Sequence, residues 1–291
     1  MQTSHVSEAG SNHLLDAMPT LEYERWFATL TPTFLHLKAV LFDAGDVIEA
    51  VYFPLTGVIA LVTPLQDGAT VEVATVGNEG VVGVPLVLSG SLAVRGICQV
   101  AGWVLRMTSA AFLEATREEP AIRTIVDDYV QALFGQIAQA AACNLLHSNE
   151  ERLSRWLLMS HDRVGADRFP ITHEFLAQML GCRRATVTLS AGVLQAEGLI
   201  RYYRGHVTIV DRPGLEIASC ECYAVIRAEL DGVLDKAELR GYGTPVGIRP
   251  ARGVDAESCE RVPRVRALTS VPGMLWAWAD RGAFPMPDDL R

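Results

Sequence analysis

Residues 173–192 read HEFLAQMLGCRRATVTLSAG, an amphipathic pattern interrupted by one glycine and two arginines. With Gly181 at a turn, Leu176, Ala177 and Leu180 share the inner face of a short helix before it, and Val187 the inner face of a helix after it. Ala177 is small enough to let two helices cross closely, and Gly181 tolerates the positive φ of a sharp turn between them. The chain continues QAEGLIRYYRGHVTIVDR, in which Gly198 closes the second helix, residues 199–203 and 206–210 read as strands, and Arg204 and Gly205 form the turn between them. Two core helices joined by a glycine would explain the pair but not the hairpin behind it. Together they read as a winged helix-turn-helix.

In that geometry the second helix enters a major groove of double-stranded DNA, and the hairpin tip lies near a phosphate. The helix opens with Arg183, Arg184, Ala185, Thr186 and Thr188, short or cationic residues on its outward side. Thr172 is a natural N-cap for the first helix. Thr172 and His173 at its start, and Arg204 at the turn, are expected to touch phosphates.

The formal net charge is −9, which excludes a protein that coats nucleic acid indiscriminately. Residues 14–119 carry 5 Lys+Arg against 12 Asp+Glu, whereas residues 170–212 carry 5 Arg against 3 acids. A modest basic excess confined to the helix-turn-helix suits site-specific binding by a dimer, whose two copies add. No stretch approaches the roughly 20 apolar residues of a membrane span. The first residues, MQTSHVSEAGSNH, lack the basic and apolar regions of a signal peptide, so no membrane partner and a cytoplasmic location are expected.

At 291 residues there is room for two cores. Residues 1–13 are polar and expected to be disordered, and 14–30 place apolar residues near helical spacing. FLHLKAVLF (34–42), VIEAVYFP (47–54), GVIALVTPL (57–65) and ATVEVATV (69–76) are β-type runs bounded by turn residues, spaced as in an all-β sandwich or barrel. From residue 110 the period changes. Ile122, Val126, Tyr129, Leu133, Ile137, Ala140 and Asn144 recur at steps of three and four on a long helix that starts near Pro120. So little charge between Val130 and Leu146 predicts burial on more than one side, against its own domain and a twin helix, with Val126, Tyr129, Leu133, Ile137, Ala140 and Asn144 as the dimerisation residues. Asn149-Glu-Glu-Arg reads as the cap of the next helix. Residues 240–291, rich in Gly, Pro and Arg without periodicity, read as poorly ordered.

The order of these parts, with FDAGDVIEAVYFPLTGVIALV (42–62), DGATVEVATVGNEGVVG (67–83), ERLSRWLLMSHDRV (151–164) and LAQMLGCRRATVTLSAGVLQAEGLI (176–200), resembles the Crp/Fnr superfamily of bacterial transcription regulators. DRPGLEIASCECY (211–223) is similar to the wing exit of a subgroup. The resemblance, which covers roughly residues 14–235, implies an α+β chain: an N-terminal β jelly-roll barrel of eight strands, cyclic-nucleotide-binding-like, over 14–119; a dimerisation helix over 120–148; and a winged helix-turn-helix over 149–223. Residues 224–291 are a C-terminal extension, expected from its composition to be partly disordered. The resemblance implies a homodimer on a palindromic operator, with RNA polymerase as a candidate second partner, and no catalytic residues or cofactor.

The resemblance also locates an effector segment, GVVGVPLVLSGSLAVRGICQV, with Gly83 and Arg95 as candidate effector-binding residues. Relatives that bind a cyclic nucleotide follow the glycine with a glutamate for the ribose and the arginine with a hydroxyl residue. Here Val84 and Gly96 occupy those places, so ribose polar groups would go unpaired at about 1–3 kcal/mol each. Cyclic AMP is therefore not expected to bind. In the recognition helix, Arg184 stands where relatives carry a guanine-reading arginine, able to donate to O6 and N7. Ala185 replaces a glutamate and Leu189 a second arginine, which implies a different operator.

An iron–sulfur sensor needs cysteines ahead of the barrel, and residues 1–97 have none. His36, His147 and Cys98 are only loose haem ligands, better read as core or surface residues. Cys220-Glu-Cys222 is the single close cysteine pair, without a second pair or a His cluster near it in sequence, so no metal site is expected. Cupin-type enzyme chemistry would need converging histidines, and residues 34–107 hold only His36. The remaining alternative is a sensor module whose helix-turn-helix makes protein contacts, which DNA binding would discriminate.

Overall fold

The computed structural model describes residues 10–19, 25–26, 28–66, 68–84 and 93–242. Seven strands, among the described residues, build the N-terminal domain: β1 (Thr31–Leu35), β2 (Val40–Phe42), β3 (Ala50–Pro54), β4 (Val58–Pro64), β5 (Thr70–Val76), β6 (Arg95–Val100) and β7 (Gly102–Thr108). They form two antiparallel sheets, ordered β1-β7-β3 and β2-β6-β4-β5. Residues 34–42 are two strands rather than one, because Lys38 adopts φ 66° and turns the chain between them. β4 lacks the usual alternation, with residues 58–62 all buried. Ile59 and Leu61 face the barrel core, while Ala60 and Val62 join the core of the DNA-binding unit. A strand covered on both faces reads as a continuous apolar run.

The expectation of disorder over residues 1–13 is corrected at its end. Asn12 is fully buried, caps α1 (His13–Asp16) by accepting from the Leu15 amide, and donates to the carbonyls of Pro54 and Gly80 at 3.0 and 2.9 Å. These buried backbone acceptors need a donor, and Asn12 supplies it.

After β7, α2 (Ser109–Glu118) ends at Glu119, and Pro120 opens the 27-residue α3 (Pro120–Leu146). Next comes α4 (Asn149–Val164). Its N-cap is Ser148, one residue before the expected Asn149: Ser148 accepts from the Glu151 amide, and Glu151 accepts from the Ser148 amide. β8 (Arg168–Pro170), α5 (His173–Leu180), α6 (Arg184–Ala196), β9 (Ile200–Tyr203) and β10 (His206–Ile209) form the winged helix-turn-helix, with wing order β8-β10-β9. α7 (Arg212–Ile217) and α8 (Cys222–Leu239) follow.

α8 runs antiparallel along α3. Lys236 and Arg240 reach Asp128, and a Cβ at Gly135 would lie 1.9 Å from the Glu229 carboxylate. A side chain there would make the exposed Glu229 carboxylate swing aside. Residues 224–239 of the extension are thus an ordered helix, and residues beyond 242, including Trp276 and Trp278, lie outside the described residues.

The barrel also meets α4 directly. Arg163 donates to Glu79 at 2.8 Å and to the Thr75 carbonyl at 3.1 Å, and Trp156 Nε1 donates to Glu72 at 3.3 Å. Tyr129 of α3 lies against Gly80, where a Cβ would come within 2.3 Å of its ring.

Candidate nucleic-acid interface

Thr172, exposed in extended conformation, caps α5 by accepting from the Phe175 amide at 3.1 Å. Gly181 ends α5 at φ 61°, a left-handed conformation with little steric cost for glycine alone. Arg183 becomes the N-cap of α6, one residue before the helix proper, so its side chain and that of Arg184 leave from the helix entrance. Arg183, Arg184 and Ala185 are exposed, Thr186 is half-buried, and Val187 beneath them is buried. The nearest carboxylate to Arg184 is Glu174, at 4.0 Å with both side chains exposed. An exposed pair that long holds the guanidinium weakly.

His173 takes a different place from the one expected. Its ring lies 4.2 Å from that of Tyr202, its Nδ1 is 3.0 Å from Thr188 Oγ1, and its Nε2 is buried without a partner. Thr188 Oγ1 already donates to the Arg184 carbonyl, so it accepts from His173, which fixes the Nδ1–H tautomer. Burial, and secondarily the charge of Arg184, push the imidazole below its ordinary pKa, keeping it neutral. His173 therefore joins α5 to α6 and the wing instead of offering a cation to phosphate. Thr188, though exposed, engages its hydroxyl inside the protein.

At the wing tip Arg204 adopts φ 46° and Gly205 φ 77°, the paired left-handed residues of a tight hairpin turn. The Arg204 guanidinium lies 5.1 Å from the centre of the exposed Tyr203 ring. Sequence reasoning missed a basic row beside it. Thr208 of β10 pairs with Arg168 on one side and Arg201 on the other, so two exposed arginines share the outer face of the wing. β8 has three residues and ends in proline, too short to recognise, although an arginine before an apolar-proline pair was a usable signal. Leu189 and Val193 continue the outer face of α6, exposed at 72% and 44%.

Each of the two effector candidates has its own surroundings among the described residues. Gly83 is buried at φ 106° beside β3, where a Cβ would lie 3.0 Å from Val51. Arg95 on β6 is held by Asp43 at 3.0 and 2.8 Å. Val84 is 4% exposed, and the Phe42 ring covers Gly96, 2.8 Å from where a Cβ would stand. Residues 85–92 lie outside the described residues.

The expected dimerisation face needs correction. Val126, Tyr129, Leu133 and Ala140 are buried in their own chain, Ile137 packs on the barrel core, and Asn144 accepts from Arg152 at 2.9 Å. The strongest apolar stripe was taken by the nearest core. A second stripe is exposed: Asp127, Gln131, Phe134, Ala138, Ala141 and Leu145, with Phe134 at 71% and Leu145 at 83%. Its alternating steps of four and three follow a heptad seam.

The expectation that Cys220 and Cys222 lack partners is also corrected. Both are buried, and the end of α3 brings Cys143 and His147 against them. Of the other two loosely weighed ligands, His36 is exposed, and Cys98 on β6 is buried in the barrel core, which raises its thiol pKa to about 11.

No helix among the described residues is long and apolar enough to cross a membrane. Residues 33–119 match the cyclic nucleotide-binding domain family, and residues 151–217 the Crp-like helix-turn-helix domain family. A global nitrogen regulator of Nostoc sp. is 28% identical over 196 residues, spanning 63% of this chain and 86% of the relative. Among solved structures, FixK2 of Bradyrhizobium japonicum superposes with TM-score 0.58 at 15% identity, covering 66% of this chain and 98% of that one. A CRP-family transcriptional regulator of Thermus thermophilus gives 0.54 at 18% identity, covering 64% and 96%. At such identities these structures speak for the fold.

Proposed function

The chain belongs to the Crp/Fnr superfamily of transcription regulators, and from that premise we propose that it acts as a homodimer reading a palindromic operator without needing cyclic AMP. The observation that carries the DNA reading is the exposed, cationic entrance of α6: Arg183 and Arg184 exposed above buried Val187, with Arg204 at the neighbouring wing tip. Arg184 selects a guanine through its planar fork, Ala185 offers apolar contact to a thymine methyl, and Arg183 and Thr186 contact base or phosphate. Thr172, Arg204, Arg168 and Arg201 position the backbone. Leu189 adds a second apolar contact in the groove.

The dimer forms on the seam of Phe134, Ala138, Ala141 and Leu145, where small residues admit a twin α3 and the two large ones cover its ends. Independence from cyclic AMP is supported by the Asp43 carboxylate on Arg95, by apolar Val84, and by the Phe42 ring over Gly96.

Selection of bound sequences from random duplex DNA, followed by binding at several salt concentrations, tests the reading. The expected result is an enriched palindrome with half-sites about one helical turn apart, bound without added nucleotide. Absence of enrichment, alone and with cell extract added, would overturn it in favour of a module that uses Leu189 and Val193 for protein contacts.

A further inference from the structure

Cys143 and His147 lie one helical turn apart at the end of α3, His147 being the residue that caps it. Cys220 and Cys222 flank Glu221 at the start of α8. Antiparallel docking of the two helices closes the distance. The four ligand atoms lie within 4.8 Å of one another, with Cys143 Sγ 3.5 Å from Cys220 Sγ and Cys222 Sγ 3.4 Å from His147 Nδ1. Around a tetrahedral zinc ion, thiolate sulfurs stand roughly 3.8 Å apart and a sulfur and an imidazole nitrogen roughly 3.6 Å apart. We propose that Cys143, His147, Cys220 and Cys222 bind one tetrahedral divalent metal ion, zinc by its chemistry, that staples the end of α3 to the start of α8.

The surroundings fit such an ion. Glu221 faces the other imidazole nitrogen, Nε2, at 3.3 Å, the carboxylate–histidine arrangement that orients a ligand nitrogen toward its metal. Gln139 Nε2 donates to Cys222 Sγ at 3.1 Å, as amides do to metal-bound thiolates. Three thiols that release their protons to solvent leave a zinc complex with one net negative charge. Buried Arg155 lies within electrostatic reach of Cys143, and buried Arg152 of both Cys143 and Cys220; the Nε of each has no hydrogen-bond partner. Two buried cations beside an anionic complex complement it in sign. Cys143, Cys220 and Cys222 are at most 4% exposed, which suits a closed structural site, and a cleft of about 400 Å³ beside Cys220 and Glu221 gives an ion access. Ligand atoms this close suit a single ion. A two-iron cluster would set its ligand pairs farther apart on opposite irons.

The test uses the full chain, reduced, stripped of metal and titrated with cobalt(II). One cobalt per chain is expected, with the intense visible bands of a tetrahedral site, a near-ultraviolet thiolate-to-cobalt transition, proton release on binding, and displacement by zinc. Cys143→Ser and Cys222→Ser should weaken binding at least about tenfold, and Glu221→Gln about tenfold through its hold on His147. Weak six-coordinate bands, binding unchanged in both cysteine variants, or failure of the reduced wild type to take up cobalt while Cys143 and Cys220 form a disulfide on oxidation would each overturn the proposal. The wild-type spectrum decides even where a variant does not fold, and none of these readouts depends on DNA binding.

Discussion

Arg95 presents two guanidinium nitrogens to the two carboxylate oxygens of Asp43, Nε to Oδ1 at 3.0 Å and Nη2 to Oδ2 at 2.8 Å. The hydrogen bond from Arg95 holds the Asp43 carboxyl below the usual carboxylate range, so the pair is charged at neutral pH. A cyclic phosphate would compete with an internal anion for this bidentate fork. Titration calorimetry with cyclic AMP should therefore register no binding. Asp43→Ala should not create micromolar affinity either, because Val84 still offers no acceptor for the ribose. Micromolar binding by the wild type would mean that the pair opens.

Arg184→Ala should lower operator affinity by about 1–3 kcal/mol and relax preference at one base of each half-site. Arg204→Ala should instead weaken binding to all sequences about equally and reduce the salt dependence. Fluorescence anisotropy on the selected operator and single-base variants separates the two. Equal loss on every sequence for Arg184→Ala would reassign that residue to a phosphate.

On α3, Phe134→Glu or Leu145→Glu should weaken the dimer by at least about 2 kcal/mol, roughly thirtyfold in Kd, by placing like charges on the seam. Leu133→Ala should behave differently, since Leu133 is 6% exposed and faces its own core. It should cost about 2–5 kcal/mol of protomer stability. Sedimentation velocity and thermal melting read these outcomes, and a dimer lost only with Leu133→Ala would refute the seam.

Gly80→Ala would drive a methyl group to within 2.3 Å of the Tyr129 ring, tying the barrel segment to α3. Overpacking of this kind should cost about 1–3 kcal/mol. An unchanged melting temperature would show that Tyr129 has room to move.

The winged helix was legible because its signals are local. Thr172 caps, Gly181 turns at φ 61°, and Arg204-Gly205 turns the wing, all within forty residues of one another. Other features depended on tertiary docking. Periodicity found an apolar stripe on α3 through Val126, Tyr129 and Leu133, yet which stripe meets the barrel and which stays free is decided by the packing of β5 and α8. Cys143 and Cys220 are 77 residues apart, and no short spacing betrays a pair that only two docked helices assemble. β8 escaped notice because three residues carry too little pattern, and with it went the arginine row of the wing.

Glu72 gives the barrel–α4 contact a pH dependence. It accepts from Trp156 Nε1 at 3.3 Å and is faced by Thr75, Arg155 and Arg163. Burial nonetheless outweighs these partners and raises its carboxyl above the ordinary value of 4.5. A carboxyl whose folded pKa exceeds its unfolded one binds more protons when folded, so its favourable contribution is complete below pH 4.5 and is lost as pH rises through the folded value. Glu72→Gln keeps the acceptor for Trp156 without the half-buried charge. The variant should be more stable than the wild type at neutral pH, and the difference should shrink toward zero as pH approaches 4.5. Urea unfolding of both proteins across that range measures it. A variant less stable than the wild type at neutral pH would mean that Arg155 and Arg163 stabilise the ionised carboxylate more than burial opposes it.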